Sequence, residues 1–230
     1  MFRKLILVLL LLPLAGFSQN RNSIWCFGDS AGIDFTNVTS PQPFYSAMRS
    51  RGTAVSIADS LGNLLFYAHT GDTSNNSTNM RGNILNSNHQ LMDNGDSIIG
   101  ISWYQEMTVV PIPNESNKYY LFAIDVTINF GVYYSVIDMS LDNGLGSVIL
   151  KNAVISSGIR MGDCISAIKH GNGRDWWLYV RPGNGTLADN PFYTYKIIPN
   201  GISIDTLQSF LPFTAGSSME FRWNKIGRAH

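Results

Sequence analysis

Three stretches of the chain repeat one pattern of apolar and polar positions. They are AVSIADSLGNLLFYA from Ala54, MTVVPIPNESNKYYLFAI from Met107 and CISAIKHGNGRDWWLYV from Cys164. Each opens with a short apolar or alternating run and turns through Gly, Asn, Asp or Ser. Each then resumes with an aromatic-rich run: Leu64-Leu65-Phe66-Tyr67, Tyr119-Tyr120-Leu121-Phe122 and Trp176-Trp177-Leu178-Tyr179. Period-two runs around turn residues predict β-hairpins. A third run follows each hairpin: NILNSNHQLM, GVYYSVIDMS and PFYTYKIIP. Each leads to an Asn-Gly pair, at Asn94-Gly95, Asn143-Gly144 and Asn200-Gly201, where a tight turn needs positive φ. A fourth short run closes each unit: SIIGIS, SVILKN and ISIDTL.

The units begin at residues 54, 107 and 164, and a fourth opens at Met219-Glu220-Phe221-Arg222-Trp223, giving spacings of 53, 57 and 55. No 3.6-residue periodicity of useful length appears, so the chain is expected to be all-β. Four antiparallel strands recurring at this length predict β-propeller blades of about 55 residues. A Greek-key sandwich would not explain matching turns at a fixed period. The reading is an incomplete propeller over residues 19–224, about three blades plus flanking strands. Residues 225–230, KIGRAH, resemble the translation of a sequencing adapter and are expected to be non-native, with the natural chain continuing.

The first eighteen residues read as a signal peptide. Arg3 and Lys4 precede the apolar core LILVLLLLPLAGF, and Gly16 and Ser18 sit at the −3 and −1 positions of a cleavage site before Gln19. The apolar core is shorter than the roughly 20 residues of a membrane span. The expected product is secreted or on the cell surface, with no membrane insertion after cleavage. Without Arg3 and Lys4 the chain has two more acids than bases, and no basic run occurs, so nucleic acid is not an expected partner. The two cysteines, Cys26 and Cys164, make no disulfide framework, and buried thiols are the expected state. No C-x-x-C pair or His cluster calls for a metal, and no cofactor is expected. Asp72 in GDTSNNSTN matches no calcium-loop spacing and reads as a loop.

Gly28, Ser30 and Gly32 spell G-x-S-x-G, the pattern of a hydrolase nucleophile elbow. An elbow needs a helix after the serine. The following IDFTNVTSPQPF, with β-branched residues and two prolines, does not supply one. His69, His89 and His170 fall in or beside predicted turns, without an acid partner in an elbow-type arrangement. The expected structure is a strand, a Gly-rich turn and another strand, with Cys26 alternating against Trp25 and Phe27.

The ordered set IWCFGDSAGIDF, IADSLGNLLFY, NSNHQLMDNG, GVYYSVIDMSLDNGLG and AIKHGNGRDWWLYV, spanning residues 23 to 223, resembles a group of large secreted proteins of Bacteroidetes-type bacteria. The resemblance implies an N-terminal β-propeller region, followed in such proteins by PKD-type modules and a gliding-motility-associated C-terminal sorting domain. Downstream domains on the same polypeptide would then be its partners. No activity is implied for particular residues.

In a propeller, the loops entering the innermost strands converge at one mouth. Here they are MRSRG, SWYQE, RMGD and AGSS, which put Arg51, Glu106, Arg160 and Asp163 in equal phase as candidate ligand-binding residues. The expected function is a non-catalytic binding or scaffold module for a surface glycan or protein. The rivals are a propeller enzyme with Glu106 and Asp163 as an acid–base pair, and a structural spacer in an adhesin.

Overall fold

The computed structural model describes residues 20–50, 52–71, 81–100, 104–126, 129–183 and 191–209. Among these residues four antiparallel sheets follow one another, and in each the consecutive strands pair. The first sheet holds β1 (Ile24–Phe27), β2 (Asp29–Asp34) and β3 (Gln42–Arg49). The second holds β4 (Ala54–Ala58), β5 (Leu64–His69) and β6 (Asn83–Asn86). The third holds β7 (Met107–Pro111), β8 (Lys118–Asp125), β9 (Gly131–Asp138) and β10 (Ser147–Ser157). The fourth holds β11 (Ser166–Lys169), β12 (Trp176–Val180), β13 (Pro191–Ile198) and β14 (Gly201–Ser209). Among the described residues the only helical turn is a 3-10 turn at Asp142–Gly144. It spans an Asn-Gly pair, with Asn143 at φ 53° and Gly144 at φ 89°.

All three hairpins form, with Ala54 opposite His69, Met107 opposite Ala123 and Lys169 opposite Trp176. The fourth run of the first unit departs from the pattern. Within 97–100, only Ile98 makes a bridge, to Gly82. Ser97 at φ 58° and Gly100 at φ 140° interrupt the extended backbone on either side of it. Among the described residues the second sheet therefore has three strands. The segment instead fastens the second sheet to β10. Asn152 Oδ1 accepts the Ile99 N–H at 3.0 Å, Asn94 Nδ2 donates to the Val148 carbonyl, and Ser147 Oγ donates to Asp93.

The sheets stack face to face in chain order, and alternation along β8 shows why. Tyr119, Leu121 and Ala123 pack with Phe66, Ala68 and Ile84 of the second sheet. Their immediate neighbours Tyr120, Phe122 and Ile124 pack with Leu178, Val180, Tyr195 and Ile197 of the fourth. Strand β5 does the same one layer earlier. Phe66 and Ala68 face the third sheet, while Tyr67 joins Ile24, Cys26 and Met48 of the first. Successive strand residues point to opposite faces, so a strand apolar at consecutive positions must be covered on both. Each fully buried large side chain contributes about 1.5–3 kcal/mol of transfer free energy. Rings also meet across the layers, with Phe66 and Tyr119 edge to face at 5.6 Å between centroids.

The first sheet is not a fourth copy of the unit. It leans on β4 instead: the Arg21 carbonyl accepts from Ala58 N–H, and the Ile24 carbonyl from Ser56 Oγ. These contacts hold β1 beside β4. The strand Ile24–Phe27 is the outer strand of the first sheet. It pairs with β2, and the Ser56 hydroxyl meets its other edge, donating to Ile24 O at 2.7 Å and accepting from Cys26 N–H at 3.3 Å.

Candidate functional site

The residues predicted to share a channel mouth fall on the run-ins to β4, β7 and β11. Two hydrogen bonds join these run-ins in series. Glu106 N–H donates to Thr53 Oγ1 at 2.8 Å, and Ile165 N–H donates to the Gln105 carbonyl at 2.9 Å. Gln105 and Cys164, each one residue before a crossing amide, both hold left-handed backbone, at φ 52° and 83°. Such conformations are costly for residues other than Gly, Asn and Asp and persist where surrounding contacts enforce them. Glu106 and Asp163 thus stand at the same end of neighbouring first strands. Their side chains differ in setting. Glu106 is fully buried, whereas Asp163 is half-buried and its carboxyl is pushed above the usual range by desolvation. Arg160 is exposed, and its carbonyl accepts from Gly183 N–H. Arg51, the signal peptide, the Asp72 loop, the unit at Met219 and the tail lie outside the described residues.

Ser30 is half-buried inside β2, with φ 64°, where the β2–β3 register shifts between Asp29 and Ala31. The chain continues as strand after it, as the residue pattern required, so the helix of a nucleophile elbow is not there. Cys26 and Cys164 form no disulfide; Cys26 is buried, and desolvation pushes its thiol up to about 12. Trp176 packs inward toward the third sheet, while Trp177 faces the other way, flanked by His170 at 5.3 Å and by the Lys196 ammonium at 5.4 Å.

A second locus was not visible in the sequence. A cleft of about 520 Å³ opens between the first and second sheets, lined by Asp34, Gln42, Phe44, Asn63, Ser87 and His89 among others. It is assembled from the β2–β3 connection and from the two turns of the second sheet. His89 takes its place through a left-handed backbone, φ 61°, in the turn after β6. Its ring stacks on Phe44 at 5.9 Å, and its Nδ1 lies 3.1 Å from the Tyr67 hydroxyl. Tyr67 is fully buried, and desolvation pushes its phenol up to about 12, so the hydroxyl keeps its proton.

No protein family, curated protein or solved structure matches the chain.

Proposed function

We propose that this chain is a non-catalytic binding or scaffold module of a secreted or cell-surface protein, built as part of a β-propeller. The observation that carries the architecture is the pair of bonds from Glu106 to Thr53 and from Ile165 to Gln105. They set the starts of β4, β7 and β11 side by side while the sheets behind them share apolar layers. Such an arrangement supports reading the sheets as successive blades about an axis. The first sheet presents Trp25, Phe27 and Tyr45 outward, with Tyr45 90% exposed, a face of the kind that a further sheet covers. In this reading more blades complete the module, and its ligand is a surface glycan or protein.

The burial of Glu106 favours binding over catalysis, since an acid–base pair of Glu106 and Asp163 needs both carboxyls within reach of one substrate bond. Two measurements test the proposal. N-terminal sequencing and fractionation of the expressed protein should show cleavage before Gln19 and export. A panel of surface glycans and glycosides should show binding without turnover. Hydrolysis or elimination of any of them, abolished by Glu106→Gln, would replace the binding module by the enzyme.

A further inference from the structure

The cleft between the first two sheets has a donor and acceptor inventory that selects a ligand class. Asp34 Oδ1 accepts both the N–H and the hydroxyl of Thr36, each at 2.7 Å, which leaves Oδ2 for a ligand. Gln42 spends its amide N–H groups on the carbonyl and hydroxyl of Ser40, leaving Oε1. Asn63 donates through Nδ2 to Asp59, leaving Oδ1. His89 supplies the complement. The Tyr67 hydroxyl already accepts the Ala47 N–H at 2.9 Å. It has one proton of its own, and in this buried setting that proton needs an acceptor. Donation to His89 Nδ1 provides one, and it calls for the tautomer that carries its proton on Nε2. The lining thus offers three acceptor oxygens, one N–H donor, the adaptable Ser87 hydroxyl, and the stacked Phe44 and His89 rings as an apolar wall.

Among the described residues no Lys or Arg lines the cleft, so an anion finds no counter-charge from them. An apolar molecule would strand the acceptors. A ligand with several adjacent hydroxyl donors, some acceptor capacity and one apolar face matches all of them. The cleft also falls within the roughly 300–1,000 Å³ typical of small-molecule sites. We infer that the cleft formed by Asp34, Gln42, Phe44, Asn63, Ser87 and His89 binds a neutral sugar unit of a glycan. This deepens the binding-module reading and rests on it, but does not depend on propeller closure.

The test uses the full chain and saturation-transfer NMR with the methyl glycosides of glucose, galactose, mannose and N-acetylglucosamine. At least one should show transfer concentrated on protons of one sugar face. Ser87→Trp, which fills the cleft from the turn after β6, should weaken that binding at least tenfold, and Gln42→Ala several-fold. A long-range proton–nitrogen spectrum should show His89 protonated on Nε2 and bare on Nδ1, and this readout survives if a variant folds poorly. Undiminished binding by a folded Ser87→Trp protein would overturn the cleft while leaving the binding module standing. Transfer to none of the four glycosides would overturn the sugar assignment. A His89 ring protonated on Nδ1 would overturn the donor inventory on which it rests.

Discussion

Leu121 and Phe122 are adjacent on β8 and enter different layers, the first toward the second sheet and the second toward the fourth. Both are essentially inaccessible, at 1% and 0% exposure. Truncating either to Ala removes its transfer free energy and leaves a void between packed sheets. Leu121→Ala should cost about 2–5 kcal/mol and Phe122→Ala about 3–5 kcal/mol. At 2–4 °C per kcal/mol for a domain of this size, each should lower the melting temperature by about 5–20 °C. Tyr45→Ala, on the open face of the first sheet, should stay within about 0.5 kcal/mol. Urea unfolding followed by tryptophan fluorescence at low protein concentration measures all three. A two-sheet sandwich with one solvated face would make one of the neighbouring pair nearly neutral. If either Leu121→Ala or Phe122→Ala costs under about 1 kcal/mol, the layered reasoning fails.

Ser56→Ala should destabilise the chain by about 1–3 kcal/mol, because it leaves the Ile24 carbonyl and the Cys26 amide at the edge of β1 without their hydroxyl partner; chemical denaturation reads this. The Cys26 thiol should resist Ellman's reagent at pH 8 in the folded state and react on unfolding. Its proton is held to about 12 against 9.0 unperturbed, so between those values the unfolded chain releases a proton that the folded chain keeps, and stability should fall as pH rises through that window. Asp175 is held at about 2, against 3.8, chiefly by its hydrogen bond from Arg174. Its contribution should be present above the ordinary carboxylate range and be lost as pH falls toward 2, with a carboxyl carbon titration by NMR showing the low midpoint.

The hairpins were legible because Gly, Asn and Asp mark their turns and aromatic runs mark their buried strands. Burial of both Tyr119 and Tyr120 could be deduced too, since neighbouring strand residues cannot share a face. The segment from Ser97 to Gly100 was not legible. Its apolar residues read as strand, but left-handed backbone at Ser97 and Gly100 and side-chain bonds from β10 decide its path, and those are tertiary facts. Strand β3 was missed because prolines at 41 and 43 made its start read as loop, although Pro43 pairs with Ile33. That Glu106 and Asp163 each precede the first strand of a unit was readable from the repeat. The burial of Glu106 was not, because a glutamate in a polar run-in reads as solvated. The cleft was least visible of all, being assembled from turns more than twenty residues apart whose polar composition is that of ordinary loops.

In the proposed propeller the second, third and fourth sheets are successive blades, with β4, β7 and β11 nearest one axis. An experimental structure that includes this region decides between that arrangement and a closed fold. A propeller requires a ring of four-stranded or near four-stranded blades, the Glu106–Thr53 and Ile165–Gln105 bonds intact at the axial end, and a further sheet over Trp25, Phe27 and Tyr45. Sheets that fold back into a closed sandwich, with β4, β7 and β11 separated, would contradict it.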